Sequence, residues 1–204
     1  MIREAFFRVV PVFACLAAVL CSGCGTCRVN VACQAVVEKE DAGRGVQVVV
    51  KAADTRPDPV VGQRDPGMKM LGTVEVEPSV VQTLQTAVSR GLSDKGFVPS
   101  PASPAVVRTL TVELTRLAYT GTPRLGGITA EARVVILARA DNNGETLEKT
   151  YDATTQWKLS GSNVEPDFDR LLGQTFSKVV SKMVGDYELL NFLVKTVLRT
   201  RDLN

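Results

Sequence analysis

Apolar and polar residues alternate for longest in the second half of the chain. Leu110, Val112 and Leu114 are interleaved with Thr109, Thr111, Glu113 and Thr115, and Ile128, Ala130, Ala132, Val134, Ile136 and Ala138 with Thr129, Glu131, Arg133 and Arg139. A period of two places each set on one face, so both runs are predicted to be strands with one dry and one wet side. Asp141-Asn142-Asn143-Gly144 has the Asn-Gly chemistry of a tight hairpin turn and leads into a third strand, Thr146 to about Leu159. The three make an antiparallel meander. Its first connection, Gly121 to Gly127 with Pro123 and the pair Gly126-Gly127, reads as a longer hairpin loop.

A period near 3.6 flanks the meander. Val80, Val81, Leu84, Ala87, Val88 and Leu92 follow Ser79, which with Gln82 has the form of a capping box, and Gly96 closes the helix. Phe168, Leu171, Leu172, Phe176, Val179, Val180, Met183 and Val184 share one face of a second helix, from near Pro166 to Gly185. Asp186 then caps a shorter helix through Leu198. Upstream, the β-branched run Val46–Lys51 is predicted as a buried strand and Leu71–Glu77 as a short edge strand; Val31–Val37 has room for another. Pro57, Pro59, Gly62, Pro66 and Gly67 predict an exposed loop over Pro57–Met70, and Pro99, Pro101 and Pro104 a stiff connector. The sum is an α+β fold, a two-layer sandwich. It has a mainly antiparallel sheet of four to five strands, two main helices on one face and a short C-terminal helix.

The first residues follow a different pattern. Arg3 and Arg8 precede an apolar run, Val9 to Leu20, that closes on Cys21-Ser22-Gly23-Cys24. A basic start, a short hydrophobic segment and small residues are the parts of an export signal. The run contains Pro11 and falls short of the ~20 apolar residues that span a bilayer. Ser22-Gly23-Cys24 resembles the lipobox of bacterial lipoproteins, with cleavage between Gly23 and Cys24 and acylation of Cys24. Cys21 stands where Leu, Val or Ile is usual. Gly25 takes the place where Asp favours inner-membrane retention in many bacteria, which points to the outer membrane, facing the periplasm. The expected organisation is a signal peptide over 1–23, a lipidated start and flexible tether over 24–45, and one periplasmic α+β domain over 46–204.

Composition narrows the chemistry. The chain has 24 Lys and Arg against 22 Asp and Glu, and removing residues 1–23 takes away Arg3, Arg8 and Glu4. A near-neutral balance with 5% aromatic residues excludes a nucleic-acid binder. No histidine is present, which removes the commonest general base and most catalytic zinc sites. No metal site and no cofactor are expected. Cys27 and Cys33 either close a small disulfide loop in an oxidising compartment or stand as two free thiols. Asp54 and Arg56, with Asp58 nearby, form the one tempting polar cluster; it reads as an ion pair that caps a turn rather than as acid–base machinery. Glu113, Glu131 and Arg133 read as a solvated strand surface, and Trp157 as partly buried.

Ala53-Asp54-Thr55-Arg56, Ser93-Asp94-Lys95-Gly96-Phe97, the strand Ala130–Ala140 with Asn142-Asn143-Gly144, and the terminal helices carry a further resemblance. Over Val46 to Lys195 the chain is similar to the YajG-like family of bacterial lipoproteins, which brings no known catalytic residues. The resemblance implies an envelope lipoprotein, and the expected role is a non-enzymatic interaction or assembly-accessory module. Its partners are the membrane, through the lipid anchor, and other envelope proteins. The alternative is a carrier for an apolar envelope ligand, a lipid or cell-wall fragment, held between helices and sheet.

Overall fold

The computed structural model describes residues 27–63, 73–77, 79–103, 106–160 and 167–196. The signal stretch, Gly23, Cys24 and Gly25 lie outside the described residues. So do residues 64–72 of the expected loop and strand, and the chain beyond 196.

The meander forms as its alternation requires. β6 (Arg108–Arg124), β7 (Gly127–Asn142) and β8 (Glu145–Ser160) pair antiparallel along their whole lengths. Asn143 and Gly144 both have positive φ, 56° and 93°, as the two central residues of a type I′ turn need. The first connection is tighter than its sequence suggests. Arg124 pairs with Gly127, leaving only Leu125 and Gly126 in the turn, and Gly126 takes φ 83°. A bulge between Leu114 and Arg116 shifts the inward set from Leu110, Val112 and Leu114 to Leu117 and Tyr119, so the strand continues ten residues past Leu114.

The sheet is mainly antiparallel, as expected, with parallel pairing at one side. β2 (Gln47–Asp54) runs parallel to β6 and also to β5 (Val98–Ser100), giving the order β5-β2-β6-β7-β8. β5 is a short edge strand within the expected connector, and an edge is where Pro99 is tolerated. A parallel neighbour for β2 requires a crossover, supplied by α1 (Val80–Asp94). Ser79 has helical φ and ψ and its hydroxyl donates to Glu77 at 3.4 Å, so the expected capping box does not form; the helix closes at Gly96, φ 82°.

α2 (Phe168–Val184) is capped by the Asp167 carboxylate, which accepts from the Arg170 amide. α3 (Tyr187–Val194) is capped by Asp186, as expected. Leu84, Val88 and Leu92 of α1 and Leu172, Phe176 and Val180 of α2 meet Leu110, Val112, Ile136 and Ala138 of the sheet, all with no exposed surface. The space between helices and sheet is therefore filled, which counts against a ligand carried there. At the sheet edge, Lys182 of α2 reaches the Asp152 carbonyl of β8 at 3.4 Å, and Lys178 donates to Thr155 Oγ at 3.1 Å.

The tether expected over 24–45 is shorter in the structure, because from Cys27 onward the backbone is engaged by the domain. β1 (Cys27–Val29), β4 (Thr73–Val76) and β3 (Val60–Gln63) form a second, three-stranded sheet, with β3 inside the expected loop. Val29, Val31 and Val61 join the core. Residues 32–36 lie along α2, where the Gln34 and Val36 amides donate to the Ser177 and Ser181 hydroxyls at 3.0 and 2.8 Å. Those hydroxyls donate to the Gly173 and Ser177 carbonyls. The hydroxyls thus do for this strap what a neighbouring strand would otherwise do; Val31, Cys33, Ala35 and Val37 alternate inward, but the strand for which Val31–Val37 has room does not form. Further on, the Glu40, Gly43 and Gly45 amides bond the end of α1 at the carbonyls of Asp94, Lys95 and Gly96.

Removing the largest fully buried side chain tests the layer. Phe176→Ala is expected to destabilise by about 3–5 kcal/mol through lost transfer energy and a cavity, read as a lowered urea midpoint with an unchanged slope.

Candidate functional site

Asp54 ends β2, and pairing persists one residue further because the Thr55 amide donates to the Leu114 carbonyl at 3.0 Å. The chain then turns, bringing Arg56 back onto Asp54. Arg56 Nε meets Asp54 Oδ1 at 2.8 Å, Nη2 meets Oδ2 at 2.6 Å, and the Arg56 amide donates to Oδ1 at 3.2 Å. This is the two-pronged geometry that favours arginine with a carboxylate. The Arg56 side chain is only 5% exposed. Burial pushes the Asp54 carboxyl up, but hydrogen bonds and charge from Arg56 outweigh it and hold the group below the usual carboxylate range. Asp58 stands apart and accepts from the Val60 amide at 2.8 Å. A carboxylate held ionised by a buried guanidinium is a clamp, not a proton donor poised near neutrality.

The sequence reading passed over a second cluster, although the period of β8 places both Lys149 and Tyr151 on its inward face. Lys149 pairs with Asp186 and with Glu188 at the start of α3, the latter at 2.8 Å, and the Tyr151 hydroxyl donates to Asp186 at 2.8 Å. Burial, then the hydrogen bond to Asp186, pushes the Tyr151 phenol far up; Asp186, despite burial, is held low by Lys149 and Tyr151. Both shifts move away from neutral pH, so the cluster pins α3 to β8 and has no poised acid or base.

The wet face carries matched pairs. Glu131 accepts from Gln156 at 2.6 Å, Arg139 pairs with Glu148, and Glu113 adds its charge near Arg139, while Arg133 is exposed. Trp157 is half-buried with the Arg170 guanidinium 5.4 Å from its ring, a cation–π contact. Among the described residues no three of His, Cys, Asp and Glu are grouped to hold a metal, and no helix is long and apolar enough to cross a membrane.

A groove of about 910 Å³ runs between the strap and the outer side of α2. Most of its exposed surface is apolar, with Ala32 and Val36 among the contributors, and Gln34, Gln174, Ser177, Lys178 and Ser181 add polar groups. Cys33 lies in its wall as a free thiol; the Cys27 side chain lies outside the described atoms. Burial pushes the Cys33 thiol up to about 12, against a smaller lowering by Ser177, so at neutral pH it is not a nucleophile. A smaller, more enclosed depression of about 540 Å³ lies at the β6–β7 hairpin end.

Two measurements check these assignments. Asp54→Asn is expected to cost about 1–3 kcal/mol at pH 7, because the buried Arg56 loses its charged acceptor. A depressed carboxyl stabilises above its unfolded value near pH 3.9 and loses that contribution as pH falls through the folded value. Wild-type stability therefore declines in this acid range, and the decline flattens in the variant, as read by urea titration at successive pH values. In a Cys27→Ser chain, Cys33 should react with iodoacetamide at pH 8 at least roughly a hundredfold more slowly than an exposed thiol, and at the ordinary rate in urea.

Comparison with solved structures finds distant likenesses. A protein from Xanthomonas campestris is 13% identical, with 82% of this chain and 96% of that one covered and a TM-score of 0.49. A neuraminyllactose-binding hemagglutinin homolog from Helicobacter pylori is 10% identical over 78% and 95% of the two chains, TM-score 0.47. A minor lipoprotein from Acinetobacter baumannii is 8% identical over 77% and 94%, TM-score 0.44. No curated protein matches the chain. The model of a family described as uncharacterised lipoproteins matches residues 33–194, from the strap to the last residue of α3. In agreement with the resemblance read from the sequence, this chain belongs to that family of uncharacterised lipoproteins.

Proposed function

We propose that the chain is exported, cut before Cys24, acylated on that cysteine, and held at the periplasmic face of the outer membrane as a non-enzymatic interaction module. The observation that carries this reading is the small-residue pair Ser22-Gly23 before Cys24, at the close of an export signal, in a chain of a lipoprotein family. Two or three acyl chains at about 0.8 kcal/mol per buried methylene hold a protein at a bilayer with little help from its surface.

The groove along α2 is the surface this module offers. Its surface is mostly apolar, with amide and ammonium groups from Gln34, Gln174 and Lys178 set into it, a mixture that suits an amphipathic polypeptide segment. The filled layer beneath it favours an interaction or assembly role over transport of an apolar ligand held between helices and sheet. The ionisable clusters at Asp54 and Asp186 are tuned away from proton transfer at neutral pH, in keeping with a role without catalysis.

Mass spectrometry of the mature protein is expected to find an acylated Cys24 as first residue, and Cys24→Ser to shift the protein from membrane to soluble fractions. An unmodified terminus elsewhere removes the anchor. A photo-crosslinker at Gln174 should give adducts of discrete mass in intact cells, while one at Thr150 on the wet face should not; equal behaviour at both removes the groove from the assignment.

A further inference from the structure

The three long strands project past the helices at one end of the molecule. Phe168, the first residue of α2, packs edge-on against Tyr119 at 4.7 Å between ring centres, and Arg170 lies over Trp157. Trp157 pairs with Ala130, and from there β8 continues to Ser160 and β7 reaches back to Gly127. Three further residues at about 3.3 Å each carry the hairpin roughly 10 Å beyond the first turn of α2.

The N-terminal segment enters at the same end. The strap passes Gly173, Ser177 and Ser181 in turn, with the Ala32 carbonyl 2.7 Å from where a Cβ on Gly173 would stand. Residues before Ala32 therefore lead toward the start of α2. β1 belongs to the small sheet in which Gly62 abuts Tyr119. Two residues, Gly25 and Thr26, separate Cys24 from Cys27, so the three Cα–Cα steps reach at most about 11 Å.

The tip itself is unusual for a hairpin turn. Thr122 to Gly126 are exposed, and Leu125 at 109% has its whole side chain in solvent. Arg124 and Lys158 beside it are exposed, and residues 117–130 and 157–160 contain no acidic residue. Arg124, Leu125, Ile128, Lys158 and Leu159 line the depression at this end; Glu131, further along the strand, is engaged by Gln156.

We propose that this hairpin end is a second membrane contact: Leu125 enters the acyl boundary of a bilayer while Arg124 and Lys158 rest against the headgroups of its anionic phospholipids. An apolar residue flanked by cations, on the end nearest the anchor, is the pattern of an interfacial contact. The proposal takes its setting from the lipid anchor on Cys24. Its effect is orientation: the chain stands with the hairpin on the bilayer and the Asn143-Gly144 turn and α3 away from it.

The test uses the full mature chain carrying Cys24→Ser, which removes the acyl chains, and sedimentation with phosphatidylethanolamine vesicles containing about 25% phosphatidylglycerol. The parent should bind, and should not bind vesicles of phosphatidylcholine alone. Leu125→Asp should lower the partition coefficient about tenfold, and Arg124→Glu with Lys158→Glu by a similar factor. Tyr187→Asp, at an exposed apolar residue of α3 away from the hairpin, should leave it within about a factor of two, since surface apolar residues scattered singly are ordinary. Circular dichroism verifies that each variant is folded. A parent that does not bind the anionic vesicles, or binds no better than Leu125→Asp, overturns the contact. The anchor is scored separately by the mass on Cys24. An acylated Cys24 with a silent Leu125 removes the hairpin contact alone, and an unmodified Cys24 with Leu125-dependent binding removes the anchor alone.

Discussion

A meander of three strands, each sixteen or seventeen residues long, creates one continuous apolar face that water must not touch, and the rest of the chain answers that requirement. α1 and α2 cover it side by side, burying Leu84, Val88, Leu172 and Phe176 completely. α3 continues the cover, held by its cap at Asp186 and by Lys149 and Tyr151 reaching from β8. Where β6 runs beyond the end of β2, the small sheet supplies the neighbours, with Gly62 set against Tyr119. The strap then closes the outer side of α2 through Ser177 and Ser181. Each addition is placed where an earlier element leaves surface uncovered.

The elements that could be read from sequence were those whose periodicity is local. β7 and α2 carry six and eight apolar residues in unbroken register, and their bounds were found to within a few residues. What escaped depended on partners far along the chain. Val31, Cys33, Ala35 and Val37 alternate inward as a strand's residues do, yet their segment is held by serine hydroxyls almost 150 positions away and not by a sheet. The second half of β6 was hidden by one extra residue at Thr115, which reverses the alternation. The parallel pairing of β2 is a property of the crossover and is written in no single stretch.

The polar chemistry divides in the same way. Asp54 and Arg56 are two residues apart, so their pairing was legible; that the arginine would be buried was not, since it depends on what folds over the turn. The Lys149–Tyr151–Asp186 cluster was missed although its members face inward by simple alternation. Lys149 and Asp186 are far apart in the chain, and only the position of α3 joins them. Lysine at an inward position of an edge strand is the trace that marks such a site.

Lys182 bends over the rim of β8 to the Asp152 carbonyl, and Lys178 to Thr155. β8 is the outermost strand of its sheet and sixteen residues long, a length that would template the addition of another strand. Chains confined to a membrane surface meet their own copies at a far higher effective concentration than chains free in solution. Lysine side chains laid across that rim, with Lys182 paired to the Asp152 carboxylate at 3.6 Å, stand in the way of an identical edge. Lys178 also lines the groove along α2, so one side chain both guards the sheet edge and shapes the surface beside it.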